Sequence, residues 1–160
     1  MEVALAPVVC QEVIEEVAAS LRPLAAQKGL LFGVTCPAEP LVAQADRRAL
    51  SQILINLVNN AIKFTDQGSV RVDLAQAGDR TEIRVHDTGI GIAPEDQARL
   101  FEVFARGGTD DVRRREGTGL GLRLSQQLAA LLRGRIEIQS EIGVGSTFTL
   151  LLPAGGAGEP

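Results

Sequence analysis

Apolar positions recur at helical spacing in three stretches of the chain and alternate with polar ones in most of the remainder. Val13, Ile14, Val17, Leu21 and Leu24 form the first helical stripe, predicting a core-facing helix from about Val9 to Lys28 that Gly29 ends. Pro23 lies inside it and removes a backbone donor, which predicts a kink there or an early end to regular hydrogen bonding. Leu50, Ile53, Leu54, Leu57, Val58, Ala61 and Ile62 give the second stripe, on a helix that Asp46 can cap. Leu124, Leu128, Leu131 and Leu132 are expected on one face of a third helix, ended by Gly134. A shorter helix opens at Pro94-Glu95-Asp96 and runs into Leu100-Phe101-Glu102-Val103-Phe104, whose large side chains look like an anchor.

Period-two alternation places strands over 30–35, around Val70, Val72 and Leu74, after Gly78 with Ile83 and Val85, and over 135–140. A glycine turn, Gly143-Val144-Gly145-Ser146, leads into a last strand with Phe148, Leu150 and Leu152 on one face. The expected fold is α+β: a two-layer α/β sandwich in which helices cover one face of a mixed, mostly antiparallel sheet. Residues 1–153 form one domain, and Ala154-Gly155-Gly156-Ala157-Gly158-Glu159-Pro160 has nothing to bury and reads as a flexible tail or linker.

The polar positions add chemistry to this frame. Asn56, Asn59, Asn60 and Lys63 form a stripe beside the apolar face of the second helix, although asparagine is a mediocre helix former. Amide oxygens suit a hard cation and an ammonium suits phosphate, so the stripe reads either as half of a metal–phosphate site or as a solvated polar face. Counting by twos from Ile83 and Val85 turns Asp87 toward the core and His86 away from it. A buried carboxylate needs a partner, and the glycines of Thr88-Gly89-Ile90-Gly91-Ile92 let one approach closely. The exocyclic amine of adenine is such a donor, whereas guanine presents an acceptor there. Further on, Gly117-Thr118-Gly119-Leu120-Gly121-Leu122 opens the third helix, where free amides and the helix dipole favour phosphate. The GK[ST] ending of a P-loop is missing. Residues 105–116, rich in charge and glycine with little to bury, are expected to be mobile without a ligand.

Composition narrows the field. With 16 basic and 20 acidic residues and a net charge of −4, the chain lacks the signature of a nucleic-acid surface, and Arg113-Arg114-Arg115 reads as a solvated loop. No apolar run approaches the ~20 residues of a membrane span, so no membrane contact by this domain and a cytoplasmic location are expected. Cys10 and Cys36 have neither CxxC spacing nor a histidine partner, and are expected as reduced structural thiols.

Taken in order, NLVNNAIKFT (56–65), DTGIG (87–91), FEVF (101–104), GTGLGL (117–122) and GVGS (143–146) resemble the N, G1, F and G2 boxes and final glycine turn of one family. This is the catalytic, ATP-binding domain of two-component sensor histidine kinases, of the Bergerat fold, and the resemblance runs from about residue 5 to 153. It implies Mg²⁺ and ATP as cofactors. Asp87 would bind the adenine amine, Asn60 the Mg²⁺ with Asn56 beside it, Lys63 a phosphate and Arg106 the terminal phosphate. Gly89, Gly91, Ile92, Phe104, Gly117, Thr118, Gly119, Leu120, Gly121, Leu122 and Thr147 would complete the nucleotide site. ATPases of the gyrase and MutL type place a glutamate where this chain has Asn56, and an asparagine is a poor general base. The resemblance therefore implies phosphoryl transfer to a histidine, catalysed through Asn56, Asn60, Lys63 and Arg106. The lone histidine, His86, lies in a strand and is expected to be structural, so the acceptor belongs to a separate histidine-bearing dimerisation domain, with a response regulator downstream. The parent protein could be membrane-anchored. The competing readings are a nucleotide-binding pseudokinase that regulates a partner without chemistry, and an ATP hydrolase clamp.

Overall fold

The first two apolar stripes fold as α1 (Cys10–Gln27) and α2 (Arg47–Phe64), which pack on each other and on one face of a sheet. The computed structural model describes residues 2–100 and 120–153; the expected tail 154–160, the FEVF anchor and the loop 105–116 lie outside them. The remaining elements are β1 (Ala6–Val9), β2 (Leu31–Thr35), β3 (Val42–Ala45), β4 (Ser69–Ala77), β5 (Arg80–Asp87), α3 (Pro94–Leu100), α4 (Leu120–Leu131), β6 (Arg135–Glu141) and β7 (Gly145–Pro153). Five strands form the main sheet in the order β2-β4-β5-β7-β6, and only the β2–β4 pair is parallel. A helix crossover is what joins parallel neighbours, and α2 lies within the β2–β4 connection. The expected mixed, mostly antiparallel sheet with helices on one face is what forms.

Alternation dictates the core. Val70, Val72 and Leu74 from β4, Ile83 and Val85 from β5, and Phe148, Leu150 and Leu152 from β7 are all buried against the helices. Leu50, Ile53, Leu54, Leu57, Val58, Ala61 and Ile62 of α2 meet them, each at most 1% exposed. Asp46 caps α2 as expected: its Oδ1 accepts from the amides of Arg48 at 2.9 Å and Ala49 at 3.2 Å. Its Oδ2 accepts from the Ala4 amide at 2.9 Å, and these bonds, Ala4 first, hold the carboxyl below its ordinary range. Asp46→Ala is expected to cost about 1–2 kcal/mol in urea unfolding. An unchanged midpoint would show that the cap is redundant.

Helix α1 runs through Pro23 to Gln27, so of the kink or early end expected at that proline the early end does not occur. The carbonyl that the missing Pro23 donor leaves free belongs to exposed Ala19, where water can serve it. Leu124 and Leu131, expected on the buried face of α4, are each 42% exposed; Leu122, Ser125, Leu128, Ala129 and Leu132 are buried instead. The helix turns toward a serine because that serine has a polar partner on α2. Finally, β1 and β3 pair as a separate two-stranded antiparallel ladder that four-residue segments did not announce. Cys10 and Cys36 are free thiols, and burial pushes Cys10 up to about 11. Among the described residues no helix is long and apolar enough to cross a membrane.

Candidate functional site

Strand β5 delivers Asp87 to the helix-covered side of the sheet, as the alternation requires, with 5% of its surface exposed. Its Oδ1 accepts from the Gly89 amide at 2.9 Å. The Ser146 amide and the Thr65 hydroxyl, the latter 2.8 Å from the Ala61 carbonyl, lie beside the carboxylate. Oδ2 is buried and has no partner. Burial pushes the Asp87 carboxyl up to about 6 against the opposing pull of those donors. An unpaired acceptor at this depth is costly, and it is complementary to a donor supplied by a ligand.

Backbone contacts, not side chains, build the floor beside this acceptor. A Cβ at Gly89 would collide with the Phe64 carbonyl, and one at Gly145 with the carbonyl of Asp87 itself. Gly91 has φ +75 and would drive a Cβ into the Glu141 carbonyl. The Ile90 amide bonds the Phe64 carbonyl at 3.1 Å and the Gly143 amide bonds the Ile90 carbonyl at 2.8 Å, so the end of α2, the glycine turn and the β6–β7 hairpin lock together. Ile92, 1% exposed, gives its amide to the Ser140 hydroxyl at 2.8 Å.

Helix α2, whose last residue Phe64 meets this floor, also carries the asparagines. Asn60 is 6% exposed and its amide nitrogen has no partner, a second orphaned group in the same region of the fold. Asn56 donates from Nδ2 to the Ser125 hydroxyl of α4 at 3.0 Å and accepts from Gln52 at 3.0 Å. Lys63 is exposed in the last turn of α2. Leu122, at the start of α4, is fully buried. Of the remaining expected residues, Phe104, Arg106, Gly117, Thr118 and Gly119 lie outside the described residues, and Leu120 and Gly121 are described only as the first helical residues of α4.

Thr147 is not brought to Asp87. Strand β7 pairs Ser146 with Asp87 and Thr147 with His86, so Thr147 points to the opposite face of the sheet. There its hydroxyl meets His86 Nδ1 at 2.9 Å, while His86 Nε2 meets Asp73 Oδ2 at 3.1 Å. Arg71 Nε reaches both oxygens of Asp73, at 2.9 and 3.1 Å. His86 is thus a structural bridge across three strands, and burial lowers its pKa. The residue facing the site is Ser146, buried, with its hydroxyl 2.6 Å from that of Ser140. Thr65, Ser125 and Ser146 were missed in the sequence; the parity that turned Asp87 inward, carried across the β5–β7 register, points to Ser146.

A buried acceptor beside a backbone floor, faced by an asparagine helix, is an arrangement with relatives. Residues 45–156 match the model of the histidine kinase-, DNA gyrase B- and HSP90-like ATPases. The chain belongs to this ATPase family. Within it, the chain is 40% identical over 153 residues to the sensor histidine kinase RcsC of Escherichia coli, a match covering 94% of this chain and 16% of RcsC. It is 50% identical over 113 residues to the circadian input-output histidine kinase CikA of Synechococcus elongatus, covering 70% of this chain and 15% of CikA. The chain therefore spans about a sixth of the length of these kinases. Full-length ShkA in complex with AMPPNP superposes with a TM-score of 0.85 at 34% identity, covering 98% of this chain and 32% of ShkA. The catalytic domain of the histidine kinase ThkA, nucleotide-free, superposes at 0.82 with 25% identity over 94% of this chain and 96% of that domain. The chain is thus a catalytic domain of the histidine kinase type in the ATPase family.

Proposed function

We propose that this domain binds Mg²⁺–ATP and presents the γ-phosphate to a histidine on a separate dimerisation domain. The observation that carries the reading is the buried Asp87 carboxylate, with one oxygen engaged by Gly89 and the other unpartnered over a backbone floor. An acceptor-only group of this kind selects the amine of adenine over the carbonyl of guanine. Asn60 would ligate the cation through its amide oxygen, while its unpartnered nitrogen is open to an acceptor such as a phosphate oxygen, with Lys63 and Arg106 offsetting phosphate charge and Gly117, Gly119 and Gly121 offering amides. Mg²⁺ would neutralise charge between the terminal phosphates, and the protein's share is placement and electrostatics.

Asn56 separates transfer from hydrolysis. A water-activating residue must accept a proton, whereas the Asn56 amide is held by Gln52 and Ser125 and has no basicity to offer. The same hydrogen bond ties the asparagine face of α2 to the start of α4, so the two phosphate-facing elements are positioned together. The acceptor histidine and, downstream, the response regulator would be supplied by the rest of the parent protein or by partners.

Supplying a histidine-bearing dimerisation domain and radiolabelled ATP to the Asn60→Ala variant tests this reading. Phosphotransfer is expected to fall at least ~100-fold, with unfolding no more than ~1 kcal/mol from the parent because the lost amide nitrogen was already unpartnered. Undiminished transfer would remove Asn60 from the site. Titration with ATP and GTP should show preference for ATP, and equal affinity would remove Asp87 as the adenine reader.

A further inference from the structure

A second polar cavity, of about 260 Å³, opens at the end of the sheet remote from Asp87. It is lined by Asp79, Arg80, Arg133, Gly134, Arg135 and the Leu151–Pro153 end of β7. Three exposed arginines thus line one cavity where β5 and β6 begin and β7 ends. Strand β5 has Arg80 at one end and Asp87 at the other, so at about 3.3 Å per residue the cavity is roughly 23 Å from the nucleotide floor. None of the described residues placed in the ATP site lines it.

Among the described residues, positive charge outnumbers negative in the lining of this cavity. Arg135 gives its Nε to Glu137 at 2.9 Å, which leaves its terminal nitrogens available. Among the described residues, the guanidinium groups of Arg80 and Arg133 have neither ion pair nor hydrogen bond, and Asp79 on the same rim pairs with neither. The lining thus carries three arginines against one carboxylate, and only Arg135 has an ion pair among the described residues. That balance suits a dianion, and a phosphate group carries about −1.5 to −2 at neutral pH. The planar fork of arginine also matches phosphate oxygens two at a time.

Backbone conformation gives an independent sign. Arg133 follows α4 with φ +65, the one positive-φ residue other than glycine among those described. Its amide bonds the Ala130 carbonyl at 2.9 Å and the next amide, from Gly134, bonds the Ala129 carbonyl at 2.8 Å. This is the helix-ending turn whose left-handed position favours glycine, and a long side chain there costs about 1 kcal/mol. Attraction of a cation to the helix C-terminus does not require that position, since the last turn of α4 would serve as well without strain. It also leaves the presence of Arg80 and Arg135 in the same lining unexplained.

We propose that this cavity is a second, phosphate-recognising site, taking inorganic phosphate or the phosphate group of a small monoester, with Arg80, Arg133 and Arg135 as its ligands. Such a site is separate from the nucleotide site in both place and chemistry, because it reads only the anion. Arg133→Gly is a suitable probe. Glycine relieves the left-handed strain, so the variant is expected to fold at least as stably as the parent while losing a phosphate ligand.

The test follows backbone amide shifts of the 160-residue chain during titration with sodium phosphate, and separately with glycerol 3-phosphate, at ionic strength fixed with sodium chloride. Saturable shifts are expected at Arg80, Gly134 and Arg135, with a Kd near or below about 1 mM, and Arg133→Gly should weaken binding at least ~10-fold while its melting temperature holds or rises. Tighter binding of the ester than of free phosphate would identify a phosphorylated metabolite as the ligand, and equal binding would identify phosphate itself. Shifts that sodium chloride reproduces, shifts confined to Gly89, Gly91 and Ser146, or an Arg133→Gly variant that binds like the parent would each overturn the proposal.

Discussion

Replacing Asp87 by asparagine is expected to make the nucleotide-free domain more stable at pH 7.5 and nearly unable to bind ATP. Burial raises this carboxyl to about 6 in the folded state, above the ordinary 3.8 that it regains on unfolding. A buried acid with a raised pKa binds more protons folded than unfolded, so its penalty is absent below the unfolded pKa, grows between the two values, and is complete above the folded one. The penalty above pH 6 is on the order of 3 kcal/mol, of which an uncharged amide with one unsatisfied nitrogen should recover about 1–2 kcal/mol. That corresponds to a rise in melting temperature of roughly 2–8 °C, shrinking as the pH is lowered from 6 toward 4. The same substitution turns the free acceptor into a donor opposed to the adenine amine, and affinity should fall by roughly 30- to 1,000-fold. Melting curves across pH, paired with calorimetric titration of ATP, read both arms. A variant that loses stability at neutral pH would mean that the carboxylate is compensated in the empty site, contrary to its orphaned Oδ2.

Gly145→Ala should be the most damaging single methyl group in the described structure. Position 145 has φ +139, and its added carbon would be driven into the Asp87 carbonyl, at the point where β5 and β7 pair Asp87 with Ser146. Backbone cannot yield as a flexible side chain can, so the strands must part. The expected cost is about 3 kcal/mol or more, with nucleotide binding lost along with the register at Asp87. Gly143→Ala is the comparison. Its φ of +82 is also left-handed, but nothing lies within 4 Å of the added carbon, and about 1 kcal/mol is expected. Equal losses in urea unfolding of the two variants would show that dihedral strain, not the approach of β5, sets the requirement for glycine.

What could be read in advance was whatever depends on a local period. Asp87 turned inward because strands alternate, and the α2 core followed from helical spacing with Asp46 at its start. The glycines of the turn after β5 were read as letting a partner of Asp87 approach closely, and the close approaches that the structure shows there are by the backbone of Phe64 and Glu141, far along the chain. What depends on register between distant strands was not legible. Thr147 and Ser146 are adjacent in sequence, and only the pairing of β5 with β7 shows which one faces the site. The leucines of α4 misled for a related reason. Hydrophobicity favoured Leu124 and Leu131 as buried, but a hydrogen bond from Asn56 makes burial of Ser125 tolerable and rotates those leucines toward solvent.

The strand order has a consequence for how the domain opens. Asp87 and Ser146 lie on β5 and β7, each bonded to a neighbour on both sides, whereas β2 and β6 are edges held on one side only. Edge strands open at lower free energy than strands inside a sheet. Excursions that fray β2, where Leu31 is already 75% exposed, leave the strands carrying Asp87 and Ser146 closed. Amide exchange at Asp87 and Ser146 should therefore require the same rare event that unfolds the whole sheet. The floor of the site is kinetically the last part of the sheet to be lost.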